Sequence, residues 1–195
     1  MTHEHGSTRR ALLFTGAAVA ALAAIGILPR LSARAGTTHL GTAGEIEIEE
    51  FDAAGKSLGT KTVAKVVKTE EEWRKQLSPL AFEVTRQEGT EQAFTGPWLD
   101  NHDAGIFRCV CCDTALFSSK AKYDSGTGWP SFFEPIAKTN VLDVDDTSYG
   151  MLRIANSCPR CEAHLGHVFN DGPQPTGLRY CMNGVALNFV PLAAA

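Results

Sequence analysis

The chain has 195 residues, 44% hydrophobic and 21% charged, with a net charge of −4 and six cysteines. That composition fits one ordinary globular domain and excludes a disordered or low-complexity chain. The first stretch reads as a leader rather than as part of the domain. Arg9-Arg10 precede an apolar, Ala/Gly-rich run over residues 11–28, and Ala33-Arg34-Ala35 supplies the small-x-small pattern of a cleavage site. The paired arginines resemble a twin-arginine signal, so export to a bacterial periplasm or envelope, with cleavage after Ala35, is the expectation. The run is slightly short and weakly apolar for a retained anchor. Losing Arg9, Arg10, Arg30, Arg34 and Glu4 from the 18 basic and 22 acidic residues takes the net charge from −4 to −7. Such an acidic chain without basic blocks is a poor partner for nucleic acid or an anionic membrane, and no integral span is expected after cleavage.

Residues 36–69 read as a linker followed by a β-hairpin. Glu45-Ile46-Glu47-Ile48-Glu49 alternates strictly, Asp52-Ala53-Ala54-Gly55-Lys56 is a turn, and residues 62–67 are the returning strand. Thr69 and Glu72 form a capping box that starts a short helix through Trp73 and Leu77. Ser78-Pro79 stops it and starts another, which ends near Gly89. Beyond residue 105 the pattern is short apolar segments broken by glycine, proline and asparagine. Strands are expected at 106–110, 115–118, 151–155, 167–169 and 178–190. Strands in sequence without intervening helices imply antiparallel sheets.

The cysteines divide into two jobs. Cys109 and Cys112 form one Cys-x-x-Cys unit, and Cys158 and Cys161 form another. Two such units can place four thiolates around a structural zinc, with Zn–S of about 2.3 Å and no open position for water. The alternatives from spacing alone are disulfides, or Cys111 replacing a neighbour as ligand. That leaves Cys181. On a strand, Arg179, Cys181 and Asn183 would share one face. A guanidinium beside a thiol favours the thiolate, which is the reactive form. His164 and His167 could bind metal, donate protons or satisfy local polar needs, and Asp171 could orient an imidazole or an arginine. Trp129, in a glycine-rich loop, could offer its ring to a small apolar group or simply fill a core.

Taken together these segments resemble the B-type peptide-methionine (R)-S-oxide reductases over about residues 70–190. The resemblance rests on Gly89-Thr90-Glu91 with Pro97, the two Cys-x-x-Cys units, and Asp124-Ser125-Gly126-Thr127-Gly128-Trp129-Pro130-Ser131-Phe132. It extends through His164-Leu165-Gly166-His167-Val168-Phe169, Asp171-Gly172-Pro173 and Arg179-Tyr180-Cys181-Met182-Asn183-Gly184. It implies a mainly β fold of two antiparallel sheets clipped by a four-cysteine zinc site, with short N-terminal helices. It implies repair of methionine sulfoxide in oxidised proteins, with Cys181 as nucleophile and Trp129 on the substrate methyl group. His164, His167 and Asn183 would act on the leaving oxygen, with Asp171 and Arg179 supporting the thiolate. One departure matters. Some members carry a resolving cysteine in the glycine-rich loop where this chain has Thr127. Recycling of Cys181 is therefore expected to use an external, thioredoxin-like thiol, with Cys111 the internal alternative. A monomer is the default. Two other classes fit parts of the sequence: a zinc-bearing interaction module with Cys181 a bystander, and an exported thiol–disulfide oxidoreductase using Cys109 and Cys112.

Overall fold

The computed structural model describes residues 43–193 apart from Met151. The leader and most of the linker lie outside the described residues, as does Met151, the expected first residue of a strand. Two short helices form where capping dictates. Thr69 Oγ1 accepts from the Glu72 N–H while Glu72 accepts from the Thr69 N–H, and α1 runs Glu70–Gln76. Ser78 caps α2, Pro79–Gln87, and Glu88 closes it in the left-handed region. Trp73 on α1 and Leu77 at its C-cap, with Ala81, Phe82 and Val84 on α2, are buried.

Among the described residues three antiparallel sheets follow. The N-terminal hairpin pairs β1 (Glu45–Phe51) with β2 (Ser57–Ala64). The returning strand starts five residues before the expected 62, because Asp52 accepts from the Ala54 and Lys56 N–H groups and closes the turn early. A three-stranded sheet has β3 (Gly105–Cys109) between β4 (Ala115–Ser118) and β11 (Leu187–Pro191). The six-stranded sheet holds β5 (Lys122–Tyr123), β6 (Ser131–Phe132), β7 (Leu142–Asp146), β8 (Arg153–Ser157), β9 (His164–Phe169) and β10 (Arg179–Met182). Its spatial order is β5-β6-β10-β9-β8-β7. The expected two-sheet domain is thus present, with the hairpin as an addition.

The two larger sheets meet through aromatic rings. Phe117 stacks on Phe132 at 4.4 Å, and Phe107 meets Phe132 edge-on at 5.0 Å. The hairpin is pinned by Asn140, which is fully buried. Its side chain accepts from the Glu49 N–H and donates to the Glu49 and Ala115 carbonyls, each at 2.8 Å.

One expected strand, 178–190, is in fact two strands in different sheets. Between β10 and β11 the chain makes a 3-10 turn at Gly184–Ala186. The buried Glu91 carboxylate accepts from the Gly184 N–H at 2.5 Å and the Val185 N–H at 3.0 Å, so these donors leave the ladder. Only glycine fits at 184, because a Cβ there would stand 2.1 Å from the Pro97 carbonyl. β5, β6 and β7 have no counterpart among the expected strands. The first two are a pair of residues each; β7 does alternate, as Leu142-Asp143-Val144-Asp145, but is short, largely exposed and acidic.

Candidate active site and metal centre

β10 sorts its residues as its alternation demands. Tyr180 and Met182 point into the core, while Arg179 and Cys181 are half-buried on the open face. The antiparallel register sets Cys181 opposite Ser131 on one side and His167 on the other. β9 can approach this closely because residue 166 is glycine. A Cβ there would lie 2.1 Å from the Cys181 carbonyl oxygen.

Cys181 lines a cavity of about 150 Å³ with Thr90, Trp129, Arg153, Gly166, His167, Phe169 and Asn183. Trp129 is fixed by its indole N–H, which donates to the Glu91 carbonyl at 3.1 Å. Asn183 is buried. Its Oδ1 accepts from the Glu91 N–H at 2.9 Å and its Nδ2 donates to the Leu165 carbonyl at 3.1 Å, leaving one amide N–H uncommitted. Asn183 therefore lies past the end of β10 rather than on it, yet still borders the cavity. Arg179 is held by a bidentate pair, Nε to Asp171 Oδ1 and Nη2 to Oδ2, both at 2.8 Å. Its guanidinium lies 4.4 Å from the Phe169 ring centroid. This pairing holds the Asp171 carboxyl below its usual range.

The two histidines are brought together, with ring centroids 5.3 Å apart, but their settings differ. His167 borders the cavity and its Nε2 lies 2.8 Å from Asp146 Oδ2. His164 is 5% exposed, does not border the cavity, and its Nε2 has no hydrogen-bond partner. Burial, with His167 nearby, pushes its pKa down to about 4, so it is neutral at pH 7.

Sequence reasoning missed three participants. Asp146 sits at the end of the unforeseen β7 and bonds Arg153 Nη2 at 2.6 Å as well as His167. Arg153 borders the cavity. Glu91, quoted only as part of a motif, joins Trp129, Asn183 and the turn after β10. Nothing in a single sequence marks an exposed-looking aspartate in Asp-Val-Asp-Asp as a histidine partner.

On the zinc-site expectation, the sulfurs of Cys109, Cys112, Cys158 and Cys161 all lie within 4.8 Å of one another, and none is in a disulfide. Cys109–Cys161 is 3.6 Å and Cys112–Cys158 is 3.5 Å. A tetrahedron with Zn–S of about 2.3 Å has S–S edges of roughly 3.8 Å, so the cluster fits such an ion. The two units share one backbone form that their flanking sequences do not reveal. Cys109 N–H donates to Thr114 and Asp113 N–H to Cys109. Likewise Cys158 N–H donates to Ala163 and Glu162 N–H to Cys158. Asp113 and Glu162, at φ of 63° and 58°, turn each loop. Cys111 is buried beside this cluster.

Comparison with known proteins fits this site. The model of the SelR domain matches residues 77–191. The chain belongs to this family. It is 53% identical over 127 residues to a peptide methionine sulfoxide reductase MsrB of Pseudomonas entomophila, covering 65% of this chain and 97% of the relative. A protein of the same name from Acinetobacter baylyi is 55% identical over 125 residues, covering 64% and 90%. The mitochondrial methionine-R-sulfoxide reductase B3 of mouse is 50% identical over 131 residues, covering 67% and 52%. The hairpin and α1 precede the matched SelR residues.

The His164 environment predicts a pH effect on this SelR domain. Its folded pKa of about 4 lies below the ordinary 6.5, so protonation favours the unfolded chain. The stability it confers is complete above pH 6.5 and is lost as pH falls through 4, by up to about 3 kcal/mol. Urea unfolding from pH 7 to 4 should be steeper with pH for the wild type than for His164→Gln. Equal slopes would remove this role.

Proposed function

We propose that this peptide-methionine (R)-S-oxide reductase works through Cys181, and the observation that carries the reading is the Cys181 cavity with Trp129 and His167 on its walls. The Cys181 thiolate attacks the sulfoxide sulfur, with the substrate methyl against the Trp129 ring. His167 donates a proton to the oxygen, and the spare Asn183 N–H can hold that oxygen. Acid assistance contributes about 10²–10⁴-fold, because the sulfur is electrophilic only once its oxygen is polarised. The protonated oxygen then passes to the Cys181 sulfur as the substrate S–O bond and the S–S bond made by the attack both break, so the sulfide leaves two electrons richer and Cys181 is left as a sulfenic acid. Arg179, clamped by Asp171, keeps positive charge on the Cys181 face. His164 is a neutral neighbour of His167 rather than a second acid.

Recycling falls to an external thiol reductant of the thioredoxin type. Thr127, at 3.8 Å from Cys181 Sγ, offers a hydroxyl where a loop thiol could otherwise resolve the sulfenic acid. Cys111, 4% exposed, is packed beside the four-thiol cluster. Turnover of both sulfoxide epimers tests the reading. The wild type should reduce the R epimer, and Cys181→Ser should lose at least about 10³-fold, since it removes the nucleophile. Preference for the S epimer, or activity surviving the substitution, would overturn it.

The four-thiol cluster holds zinc in this reading. Zinc suits thiolates, and a closed tetrahedron makes it structural, holding together two loops 46 or more residues apart in sequence. Export to the envelope, as a repair enzyme against oxidative damage, rests on the leader pattern alone, and a monomer is the default state. No helix among the described residues is long and apolar enough to cross a membrane. Native mass analysis of envelope protein checks both: the expected mass is the chain from Gly36 plus one zinc. A chain starting at Met1, or a metal-free form with Cys109 and Cys112 in a disulfide, would contradict this and favour the thiol–disulfide alternative.

A further inference from the structure

We infer that Asp146 is the positioning residue that makes His167 an acid through Nδ1, an inference that rests on the Cys181 reading above. Asp146 ends β7, two strands away from His167 in the sheet, and reaches across β8 to place Oδ2 2.8 Å from His167 Nε2. The carboxylate is itself tied down. Ser148 N–H donates to its Oδ1 at 2.8 Å, and Arg153 Nη2 donates to its Oδ2 at 2.6 Å while also reaching Ser148 Oγ at 3.1 Å. The Ser148 bonds, then the His167 contact, hold this carboxyl well below the usual range, so it is an anion whenever the enzyme works.

An anionic acceptor at Nε2 fixes it as an N–H donor, which leaves Nδ1 as the ring nitrogen able to meet a substrate in the cavity. In the acid step the Nδ1–H bond breaks and the proton passes to the sulfoxide oxygen, while Nε2 keeps its proton on Asp146. The arrangement matches the histidine–carboxylate pairs that orient imidazoles in other enzymes. The other charged or titratable groups around His167 are Arg153 from β8, His164 from its own strand, and Cys181 on β10 with Arg179 two pairs further along. Of all these groups it is Asp146 whose carboxylate bonds the His167 ring.

The test compares wild type, Asp146→Asn, Asp146→Glu, His167→Asn and the double variant Asp146→Asn/His167→Asn, using a peptide bearing the R sulfoxide. Asp146→Asn should lower kcat about 10–100-fold with KM within about two-fold, the share expected for an orienting partner. Asp146→Glu should restore part of kcat. The double variant should be no slower than His167→Asn alone, because the two act as one unit. Wild-type kcat in Asp146→Asn would overturn the inference, as would full additivity. Should Asp146→Asn fail to fold by circular dichroism, Ser148→Ala, which loosens the same carboxylate, must show the same loss of kcat at unchanged KM in smaller measure, and its absence overturns the inference. If His167→Asn or Cys181→Ser keeps full activity, the underlying reading fails instead, which is a distinct outcome.

Discussion

Much of this site hangs on one buried carboxylate. Glu91 is 2% exposed, and burial pushes its pKa up while the Gly184 and Val185 N–H bonds pull it down. Those two bonds end β10 just after Met182 and turn the chain into β11. The Glu91 backbone does the rest, taking the Trp129 indole N–H on its carbonyl and giving its own N–H to Asn183. One residue therefore sets where the Cys181 strand stops, where the amide lies and where the ring stands. A buried carboxyl leaves little freedom, since each lost bond would strand a buried polar group.

The second constraint is the four-thiol cluster. It ties the β3–β4 loop to the β8–β9 loop, and so joins the three-stranded sheet to the six-stranded one. The aromatic stack of Phe107, Phe117 and Phe132 fills the space between them. The four clustered thiols lie on one side of this frame, while Cys181 is half-buried on the open face of β10.

Local rules read well in this sequence. The capping box at Thr69, the Ser78-Pro79 break and the alternation of Arg179 and Cys181 rest on neighbours within a few residues and appear as expected, whereas Asn183 falls beyond the strand. The two Cys-x-x-Cys units were legible because metal spacing is itself local. What escaped depended on distant partners. β7 alternates over only four residues, Leu142 to Asp145, and nothing local pairs Asp146 with His167, 21 residues on. The break at Gly184 needs Glu91, 93 residues before it. The different fates of His164 and His167 follow from burial, which three-residue spacing does not encode.

The central claim is that Cys181 itself becomes the oxidised residue and waits for an outside thiol. The most direct measurement is mass spectrometry after a single turnover of the R sulfoxide without reductant, with a sulfenic-acid trapping reagent present. The prediction is one trapped adduct, on Cys181, with Cys111 and the four clustered cysteines unmodified. A Cys111–Cys181 disulfide would contradict external recycling, and an unmodified Cys181 after product formation would contradict the mechanism as a whole.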